Sequence, residues 1–385
     1  MMQEYTTAEI YGRLFELLRV AFGMQEQLRR VLTPAGWQRM YNVATKQAVV
    51  GIAFVGIEKL PKEQMPPEML LFQWIGTAEQ IKQQNKHVDE QTAKIWRQLK
   101  DDGLEVAILK GQGIAKLYDN VLREAPKHLL ERKNLNPNLG EYRQSGDIDI
   151  WVKGGYQTVC DYVQRTRPTD DLAYHRFHYD YFDDTEVELH HRPTLMRNLL
   201  DDRKLARWYN SFGADSFVYI EDKGFAVPSV EFNRIFILTH IYRHFLFEGI
   251  GLRQVMDYYF VLKNDKTCKK EETAKILKEL KLTRFAEAMM WILHTQFGLE
   301  KDKLICNMNE KEGQFVLAEI LQTGNFGRAD TRFNGMSTLR RMSKHGIHLL
   351  LHYPSEVIWT PIWLVYHKVW RFNKVRGIRK YLKKE

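Results

Sequence analysis

A chain of 385 residues with 44% hydrophobic content carries enough apolar material for the cores of two or three domains. No apolar run reaches the ~18 residues of a membrane-crossing helix, and the start, MMQEYTTAEIYGRLFELL, patterns as an amphipathic helix rather than a secretory leader. The net charge is +9, but residues 362–385 hold eight Lys or Arg and one Glu, so the remainder carries only +2 and general nucleic-acid binding does not follow from the total, although nucleic acid stays open as a partner. Cys160, Cys268 and Cys306 are scattered without metal or redox spacing, which suits a reducing, cytoplasmic setting.

In chain order, residues 5–32 predict a helix, with Ile10, Leu14, Leu17, Leu18 and Phe22 recurring at three and four. Pro34 follows its stop. Trp37 to Ile57 predicts a second helical run. Pro61, Pro66 and Pro67 break the chain, and Met69 to Leu99 predicts a long helix with Leu70, Trp74, Ile81, Val88, Ile95 and Leu99 on one stripe. Residues 1–102 thus form an N-terminal helical region.

The stretch 103–194 differs. Glu105 to Lys110 predicts a short buried strand that runs into Gly111-Gln112-Gly113, and a helical pattern follows at Ile114, Ala115, Leu117 and Tyr118. Strand, glycine turn and helix N-terminus together offer free N–H groups and a positive dipole end, suited to phosphate. The hydrophilic segment between Tyr118 and Arg143 is turn-rich and is expected to be a surface loop rather than a lid. Ser145 to Val152 predicts a strand with Ile148, Ile150 and Val152 on one face and Asp147 and Asp149 on the other. Two carboxylates side by side repel unless a cation compensates, and hard oxygen ligands suit Mg²⁺ or Mn²⁺. Gly154-Gly155 opens a helix to about Arg165. Tyr174 to Phe182 and Glu186 to His190 predict a hairpin around Asp183-Asp184-Thr185. Glu186, Glu188 and His190 share one face of its second strand. Glu188 is the expected third carboxylate, because Val187 and Leu189 set it deeper than Glu186, which adjoins the turn.

LKGQGIAKLY, R-x-x-GDIDIWV, VELHHRP and HIYRHFLFEGIGLRQVMDYYFVL occur in that order. This succession resembles the nucleotidyltransferase superfamily of DNA polymerase β and, within it, an uncharacterised bacterial nucleotidyltransferase-like family, from the N-terminal helices to about residue 300. The resemblance implies a mostly helical α+β fold: a small mixed β-sheet core flanked by N-terminal and C-terminal helical regions. It implies transfer of an NMP group from an NTP with Mg²⁺ or Mn²⁺. Asp147, Asp149 and Glu188 would hold metal and act in catalysis. Lys110, Gly111, Gln112 and Gly113 would brace phosphates, and Arg143 would neutralise charge. Gln112 stands where the superfamily usually has Gly or Ser. The resemblance also suggests that Asn85 reaches the site.

From Leu195 the pattern turns helical again, at 195–211, 229–247, 251–263, 270–280 and 283–297, with a strand pair around Asp222-Lys223-Gly224. His240 and His244 share a helical face with Asn233. Arg253 and Asp257, spaced i,i+4, suit a salt bridge. The alternative, which the resemblance favours, has His240, His244 and Arg253 facing the cleft and holding phosphate or base. Residues 195–300 form a substrate-side region and 301–385 an extension, in which Arg328, Arg332, Arg340 and Arg341 make a loose basic group. Thr360-Pro361 predicts a helix start. Ile362, Val365, Val369, Phe372 and Leu382 then stripe a helix rich in Lys and Arg, a composition for peripheral contact with anionic lipid at the inner membrane surface or for a docked helix with a basic end. Two other functions remain: a glycosyltransferase holding a sugar nucleotide through Mn²⁺, which the helical first hundred residues disfavour, and an inert nucleotidyltransferase fold used for binding.

Overall fold

The computed structural model describes residues 5–123, 138–327, 330, 332 and 346–382. The fold is α+β and mostly helical, with a small mixed sheet. Helix α1 (Thr7–Ala21) begins with a capping box in which the Thr6 hydroxyl accepts from Glu9 N and Thr6 N donates to the Glu9 carboxylate. It ends well before residue 32, at Gly23, whose φ is +74°. The single run expected over 37–57 is two helices, α2 (Pro34–Lys46) and α3 (Val50–Lys59), separated by Ala48 at φ +55°. Tertiary bonds occupy the break. The buried Gln47 amide donates to the Tyr11 hydroxyl and accepts from Leu252 N, while its main-chain carbonyl accepts from Arg253 N.

Helix α4 (Glu68–Asp101) is the long helix expected, and it joins two cores. Leu70, Trp74 and Ala78 belong to a large helical core, whereas Val88, Ile95 and Leu99 lie under the sheet. Strand β1 (Val106–Ile108) leads to α5 (Gln112–Arg123), and β2 (Ile148–Val152) to α6 (Gly155–Thr166). Strands β3 (Arg176–His178) and β4 (Val187–His190) form the expected hairpin. The sheet order is β1-β2-β4-β3. The β2–β4 pair is parallel and the other two are antiparallel. Ile148, Ile150, Val187, Leu189 and Phe177 pack on one face against α4 and α6. On the other face Trp151 enters the large core, stacking on Phe232 at 5.0 Å.

Helix α7 (Leu199–Asn210) precedes a separate hairpin, β5 (Phe217–Ile220) and β6 (Phe225–Pro228). Then come α8 (Val230–Phe247), α9 (Leu252–Lys263), α10 (Lys270–Glu279), α11 (Thr283–Phe297) and α12 (Glu310–Thr323). Side chains from Ile10 to Tyr353 share the large core, so the first helices and the later ones pack together. Helix α13 (Pro354–Leu382) corrects the expected start at Thr360-Pro361, because Pro361 lies inside it. The proline that opens the helix is Pro354. Its first turn is locked by Glu356, which accepts from the N–H groups of Arg197 (2.7 Å) and Asn198 (3.1 Å). Thr360 donates back to the Glu356 carbonyl instead of capping. Among the described residues no helix is long and apolar enough to cross a membrane. The lid-or-loop question falls largely on 124–137, and Arg328, Arg340 and Arg341 also lie outside the described residues. Arg332 bonds to Glu319 and Asp330.

Candidate functional site

The sheet register builds the centre of the site. Asp149 on β2 lies opposite Glu188 on β4, and Glu188 lies opposite His178 on β3. Period-two alternation turns Asp149, Glu188 and His190 to one side, and all three are buried, Asp149 to 1% exposure. His190 Nε2 is 2.8 Å from Asp149 Oδ1 and 3.2 Å from Glu188 Oε2, a position from which its N–H donates to both carboxylates. Arg176 on β3 donates to Glu188 Oε1 at 2.7 Å. Glu186 is exposed next to the turn, and only its backbone carbonyl joins the sheet, accepting from Ile148 N.

The turn after β1 supplies a third cation. Lys110 and Gly111 both take positive φ, +29° and +45°, to swing the chain into α5. Gly113 has to be glycine, since a Cβ there would run into the Ile108 carbonyl. Its N–H is already used, donating to Lys110 O at 2.7 Å. The Lys110 side chain points back over the acids, with Nζ 2.8 Å from Asp149 Oδ2 and 3.6 Å from Asp147 Oδ2. The shorter contact lies off the hydrogen-bonding direction and is an ion pair. The Gln112 amide is committed to Asp89 on α4 at 2.6 Å.

The charges tune one another. Burial alone would push Lys110 down, but Asp147, Asp149 and Glu188 hold it above its ordinary value. Burial likewise opposes a charged His190, and the bonds to Asp149 and Glu188 raise it. Burial would raise Glu188, whereas His190 and Lys110 bring it below its ordinary value.

A cavity of about 360 Å³ opens beside these groups. Lys110, Asp147, Glu188 and His190 line one part, Arg197, His240, Arg243 and His244 another, and Phe326, Trp363 and His367 close it. A smaller neighbouring cavity, about 30 Å³, is lined by Gly111, Gly146, Asp147, Asp149, His240 and Arg253. His244 is neutral in this arrangement: it accepts from Arg243 at Nε2 (2.7 Å) and donates from Nδ1 to Glu248 (2.7 Å). Burial first, then Arg243, keeps it below its ordinary value. His240 stacks edge-on against it at 4.4 Å and is pushed well down, chiefly by burial.

The structure therefore brings Lys110, Asp147, Asp149, Glu188, His240, His244 and Arg253 to one pair of cavities. Arg143 borders the smaller one, but its guanidinium is committed to Asp257 by two 2.7 Å bonds, and the Tyr118 hydroxyl donates to the same carboxylate at 2.7 Å. Asp257 thus pairs with Arg143, not with Arg253 as the i,i+4 spacing suggested. Arg253 donates to the carbonyls of Gln144 (2.9 Å) and Ser145 (3.3 Å) and holds the approach to β2. Asn85 donates to the carbonyls of Glu141 and Arg143, both at 2.6 Å, so it clamps the backbone that leads into the site. The sequence pattern sets His190 on the Glu188 face without giving it a role, and gives none to Arg176, Arg197 or Arg243. His190 carried a usable signal, two residues from Glu188 on the same strand face; Arg197 carried none.

The donor set fits a divalent cation. Asp149, Glu188 and His190 can each present a ligand atom within 4.8 Å of the others, and two buried carboxylates face each other with Lys110 seated between Asp149 and Asp147 in a cation's place.

A family model described as an uncharacterised nucleotidyltransferase matches residues 33–124 and 137–298, and the chain belongs to that family. No curated protein and no solved structure matches it.

Proposed function

We propose that this family member transfers an NMP group from an NTP to a hydroxyl or phosphate acceptor, with Mg²⁺ or Mn²⁺ held by Asp147, Asp149 and Glu188. One observation carries the reading: Asp149 and Glu188 are buried in register on adjacent parallel strands, next to a cavity lined by cations. A divalent cation there would neutralise phosphate charge and activate the attacking oxygen. Lys110 and the backbone at Gly111 and Gln112 brace the phosphates from the side of the smaller cavity, Gly113 closes the turn through its N–H on Lys110 O, and Arg253 holds the strand approach beside them. Glu188 orients the acceptor and takes its proton. His240, neutral, contacts substrate from α8 through a hydrogen bond, while His244, with both ring nitrogens held by Arg243 and Glu248, fixes Arg243 in the cavity wall. Positioning and electrostatic stabilisation then provide most of the rate.

The test is thermal melting with each NTP, with and without Mg²⁺, followed by pyrophosphate release in the presence of cell extract and a labelled NTP. A shift that requires both NTP and metal supports the reading. A larger shift with UDP-sugars would replace it by the glycosyltransferase, although among the described residues helices alone precede β1, with no βαβ nucleotide-binding unit. A second reading, a binding module without turnover, has its own support. Lys110, His190 and Arg176 already compensate the Asp149–Glu188 pair without metal. NTP binding that ignores Mg²⁺, with no pyrophosphate released, would select it.

The same protein is proposed to work in the cytoplasm and to touch anionic lipid through α13. Trp363 and Ile378 face the body of the protein, while Ile358, Ile362, Val365, Val369 and Phe372 are each more than half exposed. No acid occurs between 357 and 384, where eight Lys or Arg stand. Pelleting with anionic vesicles, lost in high salt and in V369S/F372S, is expected; equal pelleting of that variant would refute it. Deletion is a poorer probe, since Trp363 and His367 line the cavity.

A further inference from the structure

Guanidinium groups drawn partly out of water are best placed beside an anion, or, as for Arg253, against carbonyl oxygens. This chain usually supplies an anion. Arg143 pairs with Asp257, Arg192 with Asp202, Arg234 with Asp265 and Arg176 with Glu188. Two arginines of the larger cavity break the pattern: among the described residues, no carboxylate lies within ion-pair distance of Arg197 or Arg243.

Their surroundings are specific. Among the described residues, Arg243 Nη1 and Nη2 reach only imidazole nitrogens, His175 at 3.2 Å and His244 at 2.7 Å, and its buried Nε has no hydrogen-bond partner. The Arg197 guanidinium lies over the Phe247 ring, 3.2 Å from the centroid, and 5.2 Å from that of Trp363. Among the described residues its one polar contact is a 3.5 Å approach to the Thr360 hydroxyl. Glu248 on the same wall bonds to His244 at 2.7 Å, and Glu356 meets Arg197 only through its backbone N–H, so both acids act on these guanidinium groups from beyond ion-pair distance. Burial pushes Arg197 down to about 10 against the opposing pull of Glu356 and Glu248, and lowers Arg243 against that of Glu248.

We propose that the larger cavity binds the acceptor, and that this acceptor is a small phosphorylated hydroxyl compound whose phosphate is held by Arg197 and Arg243. The inference rests on the transferase reading and names its substrate class. Two guanidinium forks match a phosphate. The aromatic wall of Phe247 and Trp363 offers an apolar face to the carbon skeleton. A volume of about 360 Å³ under α13 suits one small ligand rather than a polymer. Glu188, lining the same cavity, is then placed to address the hydroxyl end.

The arginines could instead serve the phosphates of the NTP, and the experiment separates the two sources. Binding of glucose 1-phosphate, inorganic phosphate and Mg²⁺-ATP to the parent, R197Q, R243Q and R197K is measured by calorimetry, with circular dichroism to verify folding. Glucose 1-phosphate, or at least inorganic phosphate, should bind the parent. Each Gln variant should weaken that binding by about tenfold or more, R197K by less, and Mg²⁺-ATP binding should stay within about threefold. Loss of Mg²⁺-ATP binding with phosphate binding unchanged would assign the arginines to the nucleotide and overturn the proposal, as would a parent that binds neither phosphate probe. A parent that binds the phosphate probes through these arginines but never Mg²⁺-ATP would leave the anion site standing and remove the transferase reading.

Discussion

Two buried charge clusters lie close together in this protein, and they are built to different ends. In the first, Asp257 receives two bonds from Arg143 and one from the Tyr118 hydroxyl. Charge is balanced one to one, and the cluster ties α9 to α5 and to the approach to β2. In the second, Asp147, Asp149 and Glu188 share Lys110, His190 and Arg176, and the cluster borders a cavity. A closed pair specifies structure, and removing one partner strands a charge. An open cluster keeps carboxylates within reach of whatever enters. Substitutions should therefore separate the two by what they damage.

The largest effect is expected at Asp149. D149N should reduce pyrophosphate release by at least about a thousandfold, while circular dichroism shows a folded protein. Its melting temperature should fall rather than rise. Repulsion between neighbouring carboxylates would predict a gain, but Lys110 and His190 both rely on Asp149 for pairing. Unchanged activity would move this cluster into the structural class.

The neighbouring strand gives a sharper contrast. E188Q should retain Mg²⁺-ATP binding by calorimetry and lose turnover by about a hundredfold or more, whereas E186Q should stay within a few-fold, because Glu186 is exposed and away from Asp149 in register. If E186Q is the inactive variant, the proposed role of Glu188 passes to it.

In the closed cluster, D257N should cost about 3–5 kcal/mol of stability, seen as a lower denaturant midpoint. The activity of the fraction that remains folded should be reduced far less than in D149N. Loss of activity without loss of stability would break the distinction drawn between the clusters.

The smallest effect concerns Glu356, a buried acid that belongs to neither. Burial, aided by Asp201 and opposed by its bonds to Arg197 and Asn198, raises its pKa from 4.5 to about 7. The folded state therefore holds its proton more tightly than the unfolded chain. This contribution to stability is fully present below pH 4.5 and is lost as pH rises through about 7. Denaturant melts across that window should show stability declining with pH in the parent and a flatter profile in E356Q. An identical slope in both would show that Glu356 is ionised throughout.

Much of this architecture follows from local pattern. Alternation placed Asp147 and Asp149 on one strand face and separated Glu188 from the turn, and the apolar stripe of α4 marked a long helix. These features depend on residues a few positions apart, where backbone geometry alone decides which side chains share a face. What local pattern could not decide was the choice among competing partners. Arg253 stands one helical turn from Asp257, yet Arg143, more than a hundred residues earlier, takes that carboxylate, because Arg253 is drawn to the Gln144 and Ser145 carbonyls. The interruption at Ala48 depends on a buried amide that meets α9, and helix α13 starts at Pro354 because Glu356 finds two N–H groups on a distant segment. Arg197 and Arg243 look like ordinary surface-compatible residues until folding sets them, half-buried, beside one cavity. Periodicity sets the faces of each element; the pairing of charges across elements depends on which surfaces pack, and that is decided only by the tertiary structure.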